Sequence, residues 1–410
     1  MSQVGLGSVH SLFLDLSGSV WVAGSGRSGR IGTKNCEDVY RGAEKLPLQF
    51  KVVSLCASEQ HSLFLDDTGS AWSCGDGTNE NIGIKNVSQD PTPTKILSLP
   101  PVQAICTSLH RNSFFLDVYG HVWGCGINLA GQLGLGDTLD RTTPKRIMLP
   151  ISIQSISVGH YHSLFLDVDG FVWSCGANSY AQLAHPDTNK RLVPEKIEQL
   201  HSIREIAAGG YFSLFLDAHG VVWSCGCSSS GQLAIEFDEN KILTWDCWNP
   251  LQQSNCLPPI VKMSAGFSYS LFLDVDGFVW CTGSNDYGQL GLGDLLKRLQ
   301  PEKNGNLPKI QEIFAGLHHS AFIDNDGSLW CCGNNDFGQV GLYKEKPVQD
   351  TNDNSAKRAD PEEDDEPHYY QRTPLGDVPT EEKFSVPVKI AHLPKFQEKV
   401  VVDIKSARNM

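Results

Sequence analysis

The sequence predicts an all-β protein built from seven repeated units, on three observations. A 15-residue motif recurs seven times, as in HSLFLDLSGSVWVAG (10–24), HSLFLDVDGFVWSCG (162–176) and HSAFIDNDGSLWCCG (319–333). Its tryptophans are Trp21, Trp72, Trp123, Trp173, Trp223, Trp280 and Trp330, at steps of 51, 51, 50, 50, 57 and 50 residues. A fixed period of this size belongs to a solenoid, an array or a propeller. Composition agrees: 40% of residues are apolar, 20% are charged, and 39 are glycine. That is a strand-and-turn composition, because glycine weakens helices.

Within a unit the elements follow in order. Leu164-Phe165-Leu166 is a short apolar strand. Asp167-Val168-Asp169-Gly170 is a tight turn, with the aspartate capping it and the glycine taking a positive φ. Phe171-Val172-Trp173 opens the return strand. Every unit keeps the pair: Asp15/Gly18, Asp66/Gly69, Asp117/Gly120, Asp167/Gly170, Asp217/Gly220, Asp274/Gly277 and Asp324/Gly327. These strands are apolar on both faces, which fits a sheet covered on both sides, as a propeller blade is. A glycine-rich loop follows, as in GINLAGQLGLGD (126–137) and GSNDYGQLGLGD (283–294). A proline-bearing segment such as Pro194 to Ile197 then leads onward, for about four strands per unit.

The assembled pattern, from G-x-x-H-S through D-x-x-G-x-V-W-x-C-G to N-x-x-G-Q-L-G, resembles the RCC1 (regulator of chromosome condensation) repeat. The resemblance covers nearly the whole chain outside 345–383. It implies a seven-bladed β-propeller whose recurring His and Gly positions are structural. The His position reads His10, His61, Asn112, His162, Phe212, Tyr269 and His319, a set no repeated catalytic role would tolerate. The tail 387–407 copies an inter-unit linker, so the ring is expected to close by pairing of the N- and C-terminal segments, with 398–406 in the blade of 11–24. The expected organisation is a propeller over 1–344, an insertion over 345–383, and a closing strand segment over 384–410. The insertion holds 12 Asp and Glu against 5 Lys and Arg and is expected to be disordered.

The chain carries a net charge of −14 and no clustered Lys and Arg, so nucleic acid is not an expected partner of its body. It opens on MSQVGLGS, without a signal-like segment, and no run of 18 apolar residues occurs, so no membrane span is expected. Of its 13 cysteines, five follow the repeat tryptophan by two residues: Cys74, Cys125, Cys175, Cys225 and Cys332. Their spacing is not that of zinc ligands, and they read as small buried apolar residues in a reducing compartment, cytosol or nucleus. Gly24-Ser-Gly26-Arg-Ser-Gly29 spells a dinucleotide fingerprint but aligns with the repeat loop. His160/His162 and His318/His319 likewise fall in one recurring loop. No catalytic constellation, cofactor or metal site is expected.

Two functions follow. The first is a non-enzymatic interaction module, monomeric, with a protein partner. Its best anchors are Trp245 and Trp248, the two tryptophans outside the repeat, in the extended loop of unit 5. The second is implied by the resemblance: guanine-nucleotide exchange on a Ran-like small GTPase. The loop residues matching the family's exchange face are Asp76, Asn128, Asp286, Asp336, His160 and His318. The founding member's protruding wedge and basic N-terminal tail have no counterpart, and 75–81 or 126–131 stand where the wedge would be. The Gly-Trp-Arg-His-Thr pattern of the ultraviolet receptors is missing, so light sensing is not expected.

Overall fold

The computed structural model describes residues 3–76, 82–84, 91–108, 111–236, 249–342, 383–390 and 393. Each unit forms a four-stranded antiparallel sheet whose strands follow one another in chain order, and seven such blades make a propeller. Blade 4 is representative: Ile153–Val158, His162–Asp167, Val172–Gly176 and Arg191–Lys196. First strands of neighbouring blades contact one another, which places them around the axis.

The hairpin turn does more than the sequence suggests. Gly170 sits at φ 84°, and Asp167 Oδ1 accepts the N–H groups of Asp169 and Phe171 at 3.0 and 2.9 Å. The other carboxylate oxygen accepts Trp173 Nε1–H at 2.9 Å. The same indole-to-carboxylate bond recurs in all seven units, at 2.8–3.5 Å. The repeat tryptophans are half-buried: each packs against an apolar cluster between blades, while its indole N–H turns to the carboxylate at the turn. The buried partner is the phenylalanine opposite each tryptophan in the ladder, as Phe165 is opposite Trp173. Phe13, Phe64, Phe115, Phe165, Phe215, Phe272 and Phe322 are all 0% exposed. Asp167→Ala is expected to cost about 3 kcal/mol, since it strands three donors. Asp167→Asn, which keeps an acceptor, should cost less; chemical denaturation of the two variants checks the order.

The ring has no single core. Its apolar clusters lie between blades, as where Leu164, Leu166 and Ile197 meet Ile203, Ile206 and Phe215. Cys74, Cys125, Cys175, Cys225 and Cys332 are buried in these seams as free thiols, and burial pushes each thiol pKa up.

Closure differs from the sequence expectation in one respect. Blade 1 supplies its own first strand, Gln3–Leu6, and takes all four strands from 3–45. The tail strand Lys383–Lys389 instead completes blade 7, beside Leu329–Asn334. The two ends meet by packing: Val4, Leu6 and Phe13 share a cluster with Ala321, Ile323, Ile390 and Leu393. A sheet is fastened most simply by its own next strand, and the seam is then closed by side chains. Residues 398–406 lie outside the described residues, as does the insertion 345–383 apart from Lys383.

Inner-strand edges face the axis, where bare N–H groups would invite further pairing. Side chains of the preceding blade cover them. Leu55 N–H bonds Gln3 Oε1 at 3.0 Å, Ala208 N–H bonds Ser157 Oγ at 2.9 Å, and Ala315 N–H bonds Ser264 Oγ at 2.9 Å.

Candidate interaction face

Antiparallel order sorts the connections onto two faces. The Asp-x-x-Gly turns and the links between blades fall on one, here the turn face. The G-x-x-H loops and the glycine-rich loops fall on the other, here the loop face. Beneath the loop face runs a belt of hydrogen bonds. His10, His61, His162 and His319 are 0% exposed. Each directs Nε2 at a serine of the next blade: His10 to Ser62 at 2.9 Å, His61 to Ser113 at 2.8 Å, His162 to Ser213 at 2.9 Å. His319 reaches Ser11 at 2.9 Å and so joins the last blade to the first. Belt serines in turn donate to carbonyls of the glycine-rich loop behind them, at 2.6–2.7 Å. With its own hydrogen donated, each such serine accepts from the imidazole, which assigns the proton to Nε2. At the Gly159 Cα any Cβ would lie 2.3 Å from the His162 ring, which explains the glycine of G-x-x-H. The belt is structural, as the sequence implied. Tyr269 replaces one histidine: its hydroxyl donates to the His319 carbonyl at 2.7 Å and lies 3.0 Å from Ser320 Oγ.

The belt carries a tract of half-buried rings from four blades. His160 and Tyr161 of blade 4 lie 4.3 Å apart. Tyr211 of blade 5 packs on Tyr180 at 5.4 Å, on His160 at 5.6 Å and on Phe267 of blade 6 at 5.8 Å. Phe267 reaches His318 of blade 7 at 6.5 Å, and His318 meets Tyr287 at 4.6 Å. Burial holds His318 down to about 4, against the opposing pull of Asp286, so it is an uncharged ring at neutral pH. Asp286 and Asp336 occupy equivalent positions of adjacent glycine-rich loops, and both are exposed.

Blades 1 to 3 offer charge in place of rings. Arg30 donates to the Glu59 carbonyl at 3.2 Å. Burial lowers the Arg30 pKa, opposed by Glu59, Asp38 and Asp76. Burial raises Glu59, opposed by Arg111 and Arg30.

Of the sequence candidates, His160, His318, Asp286 and Asp336 thus come together in the half of the face formed by blades 4 to 7, and half-buried Asp76 lies in the charged half. Asn128 is a correction. It is 0% exposed, accepting Leu133 N–H at 2.9 Å and donating to the Asp137 carbonyl at 2.9 Å. Asn178 and Asn285 staple their loops in the same way. The residue aligned with Asp286 is Leu129, one position on, and it is 62% exposed. Trp245 and Trp248 lie outside the described residues. Tyr161, Tyr180, Tyr211, Phe267 and Tyr287 went unrecognised in the sequence. Their signal was aromatic residues at the variable positions beside the recurring Gly and His positions.

A family model of the RCC1-like domain matches residues 1–244, more than half of the chain. The chain belongs to the RCC1-like family. RCC1 repeat models match further on, at 276–323, 260–289 and 310–339. Probable E3 ubiquitin-protein ligase HERC4 of Homo sapiens is 30% identical over 145 residues, which is 35% of this chain and 14% of that protein. The chain therefore matches only a small part of that relative's length. An RCC1-like G exchanging factor-like protein of Mus musculus is 34% identical over 99 residues, 23% of this chain and 22% of that protein. Among solved structures, yeast RCC1 (Prp20) in complex with Kap60 superposes with a TM-score of 0.73 at 21% identity, covering 92% of this chain and 84% of the other. Human WBSCR16 superposes at 0.69 and 20% identity, covering 78% and 86%. At these identities the structures establish the shared propeller fold. Among the described residues no helix is long and apolar enough to cross a membrane.

Proposed function

We propose that this RCC1-like propeller is a non-enzymatic interaction module that receives a protein partner on its loop face, in the cytosol or nucleus. The observation that carries the reading is the ring tract of blades 4 to 7. Half-exposed aromatic side chains on a rigid scaffold are the usual anchors of a protein interface. The tract rests on the hydrogen-bonded belt, so its rings are already ordered before a partner arrives, and little entropy is lost on binding. Replacing Tyr211 and Phe267 together by serine is expected to abolish partner capture while the circular-dichroism spectrum stays native. Replacing Val168 and Val275, exposed on the turn face, should leave capture intact. The opposite pattern would move the site to the other face.

Exchange on a Ran-like GTPase is a second reading, favoured by Asp286 and Asp336. They stand exposed at the same position of neighbouring loops, where carboxylates could compete for a nucleotide's Mg²⁺. The name of the mouse relative, an exchanging factor-like protein, points the same way, as does a Saccharomyces cerevisiae Prp20p structure described with its binding to Gsp1p and histones. Release of labelled GDP from Ran and related GTPases separates the two readings. The interaction module leaves the rates unchanged. Acceleration abolished by Asp286→Ala or Asp336→Ala would establish exchange.

A further inference from the structure

We infer that the ring tract of blades 4 to 7 recognises a basic segment of a partner protein, with lysine or arginine side chains seated among Tyr211, Phe267 and Tyr287 and paired with Asp286 and Asp336. The inference rests on the interaction-module reading and adds the chemistry of the partner.

Three observations carry it. First, the rings form one half-exposed cluster. Phe267 meets Tyr211 at 76° and His160 at 79°, edge to face, and Tyr287 lies at 31° to His318. The ring quadrupoles of such a cluster attract a cation at its surface. Second, the chain already places an ammonium at the end of the tract, with Lys383 Nζ 5.3 Å from the Tyr287 ring centroid. Third, the charge is complementary. Asp286, which acts on His318, and Asp336, at the same position of the next loop, are exposed, and among the described residues neither takes part in an ion pair. Their oxygens are steadied by local donors, Ser284 Oγ at 3.1 Å and Asn334 Nδ2 at 3.0 Å, which fixes the carboxylates without neutralising them. His318, near Asp286, is uncharged at neutral pH and does not repel a cation. The chain as a whole carries −14, so the surrounding field also draws a basic segment in.

The test uses the full chain and three fluorescein-labelled peptides. One alternates glycine and lysine, one is the same peptide with every lysine acetylated, and one alternates glycine and glutamate. Fluorescence anisotropy at about 0.1 M salt is expected to show the lysine peptide binding roughly tenfold more tightly than the acetylated one, and the glutamate peptide not at all. Phe267→Leu keeps an apolar side chain but removes the π face, and should weaken the lysine peptide about fivefold. Asp286→Asn with Asp336→Asn changes only exposed groups. It should weaken binding and flatten its salt dependence. Asp169→Asn with Asp276→Asn, on the turn face, removes the same charge and should change nothing. Equal binding of the acetylated or glutamate peptide would overturn the inference. So would equal weakening by the turn-face pair, which would mean attraction to net charge alone. Peptide failure with partner capture still lost in the Tyr211/Phe267 variant would overturn the basic-segment inference and leave the interaction module standing. Capture indifferent to that variant would overturn both.

Discussion

Ending the chain at residue 382 is expected to abolish the cooperative fold of the ring. The lost segment begins with the fourth strand of blade 7, whose register sets Val388 against Cys331 and Phe384 against Gly333. Ile390 donates its N–H to the Leu329 carbonyl at 2.9 Å. Ile390 and Leu393 are 4% and 9% exposed, in the cluster that joins blade 7 to blade 1. Burying two such side chains contributes about 1.5–3 kcal/mol each, and each ladder bond adds about 1 kcal/mol. The total is comparable to the roughly 5–15 kcal/mol that stabilises a whole domain. The truncation also leaves Leu329–Asn334 as a bare edge. Near-ultraviolet circular dichroism and calorimetry should show no sharp transition. Ile390→Ala with Leu393→Ala, in the full chain, should lose about 5 kcal/mol and keep the transition. A truncated chain that melts at the parent temperature would refute the packing.

Acidification is expected to have the second-largest effect. His10, His61, His162 and His319 are neutral in the belt. Burial holds His61 and His319 down to about 3, His162 to about 4, and His10 well below its ordinary value of 6.5. In the unfolded chain the same residues take up protons near 6.5. Below that pH the unfolded state therefore binds protons that the folded state refuses, and stability falls with falling pH. The contribution is complete above 6.5 and is lost as the pH drops toward the folded values. Each histidine costs up to about 1.4 kcal/mol per pH unit, and four together roughly 5 kcal/mol per unit. The urea midpoint should therefore fall steeply between pH 7 and 5. His319→Tyr copies the chain's own Tyr269 and should flatten the slope. A midpoint constant over that range would show that the belt does not resist protonation.

The loop face illustrates where sequence reasoning stops. His160, His318, Asp286 and Asp336 were reachable because they stand beside the recurring Gly and His positions of the repeat. Asn128 misled for the same reason: one position decides whether a loop side chain points out or in. Its inward bonds, to Leu133 five residues on and to Asp137 nine residues on, are a property of the folded loop. The indole-to-carboxylate bond was written in the constant six-residue step from Asp to Trp, but only the folded hairpin brings the indole back to the turn.

By itself the sequence determined the seven units, the hairpin in each and the small buried residues of the seams. All of these are local, set by alternation, by turn chemistry and by a period that leaves each sheet with two faces to cover. Only the tertiary structure decided which strand completes blade 7, how His319 and Ser11 fasten the ring, and that rings from four blades form one surface. These are contacts between residues hundreds of positions apart or in different units. Side-chain packing and hydrogen bonding around the closed ring select them, and no stretch of sequence records that geometry.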